Sequence, residues 1–246
     1  ELNALDAQYR RQAEWFYGVR SNLLRRVGIA AKKNVLELGC GTGAVTPELI
    51  RRCGGQVVAL DVRAGPMALD PGRFAGAQTV IASGEALPFA DAAFDLVFTQ
   101  MLFLWTPDPA AVVREVRRVL QPGCELIAAA EPDYGGRICH PPEVALMDRP
   151  LVDSLRAQGA DPFAGRRLGR CMEVAGLKVE CGVHSGVWSP SGFLRESEEE
   201  WASLANDVAG LVDDRTLSET GAAWDRALAD GSLFLFNPVF YAIGRK

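Results

Sequence analysis

Val35-Leu36-Glu37-Leu38-Gly39-Cys40-Gly41-Thr42-Gly43 is the stretch that decides the fold. Its first half is a short, nearly all-apolar run, the pattern of a strand covered on both faces. Its second half is a glycine-rich turn, and a helical pattern follows. Glycines there let the backbone turn sharply and let a ligand lie against bare main chain. Working outward, more short apolar runs alternate with helical stretches: Gln56–Asp61, Thr79–Ala82, Phe94–Phe98 and Glu125–Ala128. That rhythm is the signature of a parallel sheet with crossover helices. Leu177–Trp188 and Val239–Ile243 add two later strands, with Pro238 confined to the start of the last one. The expected fold is therefore α/β, a doubly wound, mostly parallel seven-stranded sheet.

Helices fill the rest. Over residues 1–30, Tyr9, Phe16 and Leu23 recur every seven residues on one apolar stripe, closed by Gly28. Asp108 is an N-cap with Pro109 at the first helical position, and Val112, Val113, Val116, Val119 and Leu120 form that helix's core face. Pro142 to Gln158 reads as a helix interrupted at Pro150, and Asp161-Pro162 opens another that Gly176 closes. Trp201, Leu204, Val208 and Leu211 share one helical face, Trp224 and Leu228 another. With no repeat, linker or low-complexity tract, residues 1–246 read as a single domain. Its core is 33–131, and residues 1–30, 134–170 and 190–236 are helical insertions forming a cap.

Composition limits the function classes. A chain of 246 residues buries roughly 70–75% of its unfolded surface, so it needs no staple. The net charge of −5 and pI near 5.2 argue against a nucleic-acid partner, which ordinarily leaves a basic footprint. Six cysteines without a C-x-x-C pair, and only two histidines, give neither a metal site nor a disulfide framework. Reduced thiols, no apolar run of membrane length and no signal-peptide pattern point to the cytoplasm. The first residue is Glu1 rather than Met, which leaves room for residues ahead of it.

Asp61 ends the second strand eighteen residues after Gly43, where a carboxylate can accept both hydroxyls of a ribose. A glycine turn and a following acid fit a nicotinamide cofactor as well as an S-adenosyl one. The remaining motifs separate the two. Val35–Gly43, with its acidic residue ahead of G-x-G-x-G, resembles the first motif of class I S-adenosylmethionine-dependent methyltransferases. Ser83-Gly84-Glu85-Ala86-Leu87-Pro88-Phe89 followed by Phe94-Asp95-Leu96-Val97 is similar to that family's adenine loop and fourth strand. Arg118-Val119-Leu120-Gln121-Pro122-Gly123 is similar to its turn into the fifth. The resemblance covers residues 33–131 and is nearest to the small-molecule subgroup called methyltransferase type 11.

The resemblance implies S-adenosyl-L-methionine as cofactor and assigns roles. Glu37 and the backbone of Gly39, Cys40, Gly41 and Gly43 would hold its methionine portion. Asp61 would take the ribose, and Val62 would lie beside the adenine. Gly84 and Glu85 would flank the adenine edge, and Gln100 would form the floor near the sulfonium. The family commonly has an acid where this chain has Ser83, so either Glu85 or the serine hydroxyl makes that contact. Trp15-Phe16-Tyr17 with Arg20 reads either as a packed surface helix or as a lid, with Arg20 over the cofactor and Tyr17 toward the substrate. Met101, Trp105 and Phe236 complete the acceptor side. Glu131 and Tyr134, past the fifth strand, are the catalytic candidates. Glu131 has competing readings: a general base, an anchor for the turn at Pro132, or a lid holder through Arg20. The expected function is methyl transfer to a small-molecule acceptor. The alternatives are a methyltransferase acting on protein or RNA, and a non-enzymatic cofactor-binding protein.

Overall fold

The computed structural model describes residues 2–184 and 197–246, with side chains 197–199 outside the description. In chain order the elements are α1 (Leu2–Trp15), α2 (Tyr17–Arg26), β1 (Asn34–Leu38), α3 (Thr46–Arg52), β2 (Gln56–Asp61), α4 (Ala64–Ala68) and β3 (Ala77–Ile81). Then follow β4 (Phe94–Thr99), α5 (Pro109–Val119), β5 (Leu120–Pro132), β6 (Ile138–His140), α6 (Pro142–Ala145), α7 (Asp148–Ala157), α8 (Ala164–Val174) and β7 (Lys178–Val183). The chain closes with α9 (Ser197–Asp207), α10 (Asp214–Asp230), β8 (Phe234–Phe236) and β9 (Val239–Arg245).

Seven strands form one sheet in the order β3-β2-β1-β4-β5-β9-β7, with β9 antiparallel to both neighbours and the other pairings parallel. This is the expected doubly wound architecture. Successive strand residues face opposite sides, and the core divides accordingly. Leu36, Leu38, Val97, Leu126 and Ala128 pack toward α5, α7 and α8. Val35, Leu96, Phe98, Ile127 and Ala129 pack toward Leu23, Leu24 and Leu49 of α2 and α3. Strand order reverses between β1 and β4, and such a switch point opens a crevice beyond the carboxyl ends of the two strands.

Local chemistry sets the helix ends. The Asp108 carboxylate accepts from Ala111 N at 2.9 Å and starts α5. Gly28 and Gly176, both with positive φ, end α2 and α8. The first thirty residues make two helices rather than one, parted at Phe16. The break in 142–158 falls at Leu146-Met147, not at Pro150. Pro150 sits in the first turn of α7, where its missing N–H would have had no helical partner. The strand expected over Leu177–Trp188 runs from Lys178 to Val183, and residues 185–188 lie outside the described residues. Phe234–Phe236 is a strand beyond those expected, paired with Ile138–His140 in a separate two-stranded ribbon.

One irregularity shapes the end of β5. Its register with β9 shifts between Ala128 and Glu131. A bulge leaves a ladder carbonyl without its strand partner, and the Ala129 carbonyl is taken by His184 Nε2 at 2.6 Å. Burial holds the His184 pKa below its ordinary value, so the neutral ring donates there. No helix among the described residues is long and apolar enough to cross a membrane.

Candidate functional site

The glycine turn beyond β1 is built from three left-handed residues, Gly39, Gly41 and Gly43, with φ of 80°, 54° and 77°. A side chain at any of them would be strained. The turn is tied to β2: Gly39 N and Cys40 N donate to Leu60 O at 2.8 and 3.1 Å. Gly41 N donates to Asp61 Oδ2 and Arg63 N to Asp61 Oδ1, each at 2.9 Å. Each Asp61 oxygen therefore keeps a lone pair for a further donor. Burial, followed by the Glu37 and Asp61 charges, pushes the Cys40 thiol far up, so it is no nucleophile at neutral pH.

Glu37 is 3% exposed, and its Oε2 is buried without a hydrogen-bond partner, as is Thr46 Oγ1. Burial pushes the Glu37 pKa up to about 7, with Thr46 and the Arg20 charge acting in the opposite direction. A buried carboxylate lacking a partner is costly. The site therefore fits a ligand that brings a cationic donor to it.

The N-terminal helices lie across this turn. The Tyr9 ring would be 3.0 Å from a Cβ built on Gly41, and its hydroxyl accepts from Arg63 Nη2 at 3.2 Å. Arg73 grips the Asp6 carboxylate with both terminal nitrogens, Nη2 to Oδ2 at 3.0 Å. Its Nη1 also reaches Thr42 O at 3.2 Å. The guanidinium holds the Asp6 carboxyl down at about 2. Arg20 is 3% exposed and donates to Glu48 Oε2 at 2.8 Å, Ala13 O at 2.8 Å and Gln100 Oε1 at 3.0 Å. Arg20 thus meets Gln100, while its carboxylate partner is Glu48 rather than Glu131. An arginine can only donate, so Gln100 presents its oxygen to Arg20 and its amino group elsewhere. Tyr17 is half exposed beneath the Arg20 guanidinium, 5.8 Å from its ring centroid.

Beyond the second and third strands, Val62 and Ile81 are exposed neighbours at the ends of β2 and β3. The Ser83 hydroxyl accepts from Glu85 N at 3.1 Å, and the Glu85 side chain is exposed. A Cβ on Gly84 would meet Val112 and Leu38 at 3.4–3.6 Å. Arg118 fastens the loop from below, donating to Leu87 O at 2.9 Å and Phe89 O at 2.8 Å, while Glu115 accepts from Leu87 N at 2.8 Å.

On the acceptor side, Met101 has φ of 53°, a left-handed conformation uncommon outside glycine. Its N–H donates to Ala130 O at 2.8 Å. Glu131 is fully buried. Its Oε1 accepts from Leu102 N and Phe103 N at 2.8 and 3.1 Å, and its Oε2 from Leu104 N at 3.3 Å. Burial pushes its pKa up to about 7 against the pull of those three donors. Burial also pushes the Tyr134 hydroxyl up to about 12, so it remains a protonated donor and acceptor. Trp105 is half exposed and Phe236 half-buried in the β6–β8 ribbon. Asp133, 2% exposed, pairs with Arg166 Nη2 at 2.8 Å. Sequence reasoning missed Asp6, Tyr9, Thr46, Glu48, Arg63 and Arg73. None sits in a motif, and only their convergence on the turn reveals them.

Known proteins resemble this chain in sequence and in fold. A family model described as a methyltransferase domain matches residues 36–128. The chain is 34% identical over 101 residues to the malonyl-[acyl-carrier protein] O-methyltransferase of Pseudescherichia vulneris, covering 41% of this chain and 40% of that protein. Among solved structures, it is similar to the geranyl diphosphate C-methyltransferase of Streptomyces coelicolor A3(2). The TM-score is 0.57 at 16% identity, over 92% of this chain and 77% of that one. It is similar also to the [4+2]-cyclase SpnF, with TM-score 0.59 at 19% identity over 92% and 80%. At those identities the structural likeness is one of fold. The chain spans about two-fifths of the length of the curated relatives it matches. The family match covers residues 36–128, under half of the chain.

The Asp6–Arg73 pair is the grip that holds α1 over the turn. Asp6→Asn should let α1 open locally and speed trypsin cleavage at Arg10 and Arg11 several-fold, since cleavage reads the open population. Limited proteolysis with an unchanged rate would mean that α1 is held by its apolar contacts alone. Because the Asp6 pKa is lowered, to about 2, this hold is complete above its ordinary range near 3.8 and is lost only as pH falls through 2.

Proposed function

We propose that this protein transfers the methyl group of S-adenosyl-L-methionine to a small-molecule acceptor. The observation that carries the reading is the unpartnered Glu37 Oε2 beside a three-glycine turn fastened to Asp61. When bound, S-adenosylmethionine supplies a methyl group made electrophilic by its cationic sulfur. Glu37 would meet the amino group of the methionine portion, and the backbone of Gly39, Cys40, Gly41 and Gly43 would lie along it. Asp61 would accept from the ribose hydroxyls with the lone pairs it does not spend on Gly41 and Arg63. Val62 and Ile81 would cover the adenine, with Gly84 at its edge and Ser83 or Glu85 at its amino group. Arg20 and Gln100 would set the floor, Arg20 through the fixed orientation it imposes on the Gln100 carboxamide.

With the electrophile supplied ready-made, the remaining task is to place an acceptor atom in line. The loop from Met101 to Trp105 performs it, and Glu131 acts as a positioning residue. Its two oxygens hold three successive backbone N–H groups and fix Met101 in its left-handed conformation. Tyr134, the second catalytic candidate, would orient the acceptor through a neutral hydroxyl. The small-molecule assignment is supported by the acidic net charge. The names of relatives and neighbours also support it, among them enzymes acting on geranyl diphosphate and in ubiquinone biosynthesis.

Calorimetry with S-adenosylhomocysteine tests the cofactor reading. Asp61→Ala removes hydrogen bonds to a charged group, about 1.5–3 kcal/mol, and should weaken binding by roughly 10–150-fold. Equal binding by the variant would defeat the assignment. A cationic amino group must meet an ionised Glu37, whose pKa in the free protein is about 7. Affinity should therefore fall as pH drops below 7, approaching roughly tenfold per unit with one proton released on binding. Glu37→Gln should flatten that dependence, and a parallel slope in the variant would locate the proton elsewhere. Glu131→Gln replaces an acceptor by a donor facing backbone N–H groups, which should cost about 1–3 kcal/mol of stability and be read as a lower Tm. A variant with unchanged Tm but a collapsed turnover number would return Glu131 to the role of general base.

A further inference from the structure

Among the described residues, three side-chain polar atoms are buried without a hydrogen-bond partner: Glu37 Oε2, Thr46 Oγ1 and Asn237 Oδ1. The first two stand together in the cofactor site. The third lies elsewhere, in the two-residue link between β8 and β9, outside every sequence motif. Buried polar groups in folded chains are nearly always satisfied, and an orphan marks a place where something else supplies the partner.

The position of Asn237 says what that something meets. Asp133 N donates to Pro238 O at 2.8 Å, and Val239 and Phe240 pair with Pro132 and Glu131. Asn237 is thus held just beyond the carboxyl end of β5, at the same sheet edge as the glycine turn, Asp61 and Gln100. The loop from Gln100 to Trp105 is bound to that same end of β5, through Met101 N to Ala130 O and through Glu131. On the other side the Tyr134–Gly136 turn packs close, a Cβ on Gly136 falling 3.1 Å from the Pro238 ring. β8 itself is fixed by its ribbon with β6. The backbone of the link is therefore braced from both sides, while among the described residues nothing bonds to the Asn237 oxygen.

We propose that Asn237 Oδ1 binds the methyl acceptor by accepting a hydrogen bond from it, and that the acceptor therefore bears an O–H or N–H group. The inference rests on the methyl-transfer reading for the identity of the ligand. An amide oxygen recognises a donor hydrogen, so the acceptor class is a hydroxyl or amine compound rather than a purely hydrocarbon one. A site built to hydrogen-bond its substrate also rejects analogues that lack the donor, because the protein group then stays unpaired.

The test uses the full chain with two variants and three readouts: thermal melting, S-adenosylhomocysteine calorimetry, and transfer of radiolabel from methyl-labelled S-adenosylmethionine to a small-molecule extract. Asn237→Leu keeps the volume and removes the orphan. It should melt at or above the wild-type temperature and bind S-adenosylhomocysteine within twofold of wild type. It should lose roughly tenfold or more of the label transfer. Asn237→Asp retains an acceptor oxygen and should transfer more than the leucine variant. A fall in melting temperature of several degrees in both variants would show that Asn237 serves an internal partner and would overturn the proposal. Equal transfer by wild type and Asn237→Leu would overturn it too, while leaving the methyl-transfer reading intact. A wild type that binds S-adenosylhomocysteine but labels nothing would defeat that reading, and with it the ligand assigned to Asn237.

Discussion

The bond from Gly41 N to Asp61 Oδ2 joins the two halves of the site, and most of the remaining geometry depends on it. Three left-handed glycines in five residues make a turn with many accessible shapes when it is free. Tied to Leu60 O at its start and to Asp61 at its centre, it has one. The same carboxylate holds Arg63 N, which starts the chain into α4, and Arg63 in turn bonds the Tyr9 hydroxyl. A single side chain therefore sets the turn, begins the next crossover and reaches α1 through Arg63, while keeping a lone pair on each oxygen.

Charge is handled differently on the two sides of that turn. Arg20 is as buried as Glu37, yet its donors are spent on Glu48, Ala13 and Gln100, and Glu48 is shared with Arg52 at 2.7 Å. That network is satisfied, which is the condition under which buried ions are tolerated. Glu37 lacks such partners and its pKa rises instead. The contrast explains why one buried charge reads as scaffold and the other as a place for a cationic ligand. The same kind of bond ties α1 and α2 to the site. Arg20 joins α2 to α3 and to the end of β4, and Asp6 joins α1 to Arg73.

At the acceptor edge the backbone is the constrained part. Three N–H groups in succession, from Leu102 to Leu104, stand at the open start of the short helical turn Phe103–Trp105 with no helical acceptor, and Glu131 collects them inside the protein. The bulge in β5 two residues earlier is completed by His184. Both devices hold the end of β5 in an irregular shape that a regular strand would not give, and the loop with Met101 follows from that shape.

The fold was legible because it rests on local pattern. Alternation of short apolar runs with amphipathic stretches specifies a parallel sheet wherever it occurs, and Asp108-Pro109, Gly28 and Gly176 act on their own neighbours. That Glu37, the glycines and Asp61 come together was legible for the same reason: they belong to two adjacent strands whose ends fall together in any such sheet. Arg20 was expected over the cofactor as part of an N-terminal lid, and its Glu48 and Gln100 partners became visible only in three dimensions. What only the tertiary structure decided involves residues far apart in the chain. Asp6 meets Arg73 across sixty-seven positions, Glu131 meets a loop nearly thirty residues earlier, and β6 finds β8 across the whole cap. No periodicity encodes such pairs, because each depends on packing that brings distant backbone within about 3 Å. Asn237 is the extreme case. Its sequence context announces the start of a strand, and only the packed fold shows that its oxygen has no partner among the described residues.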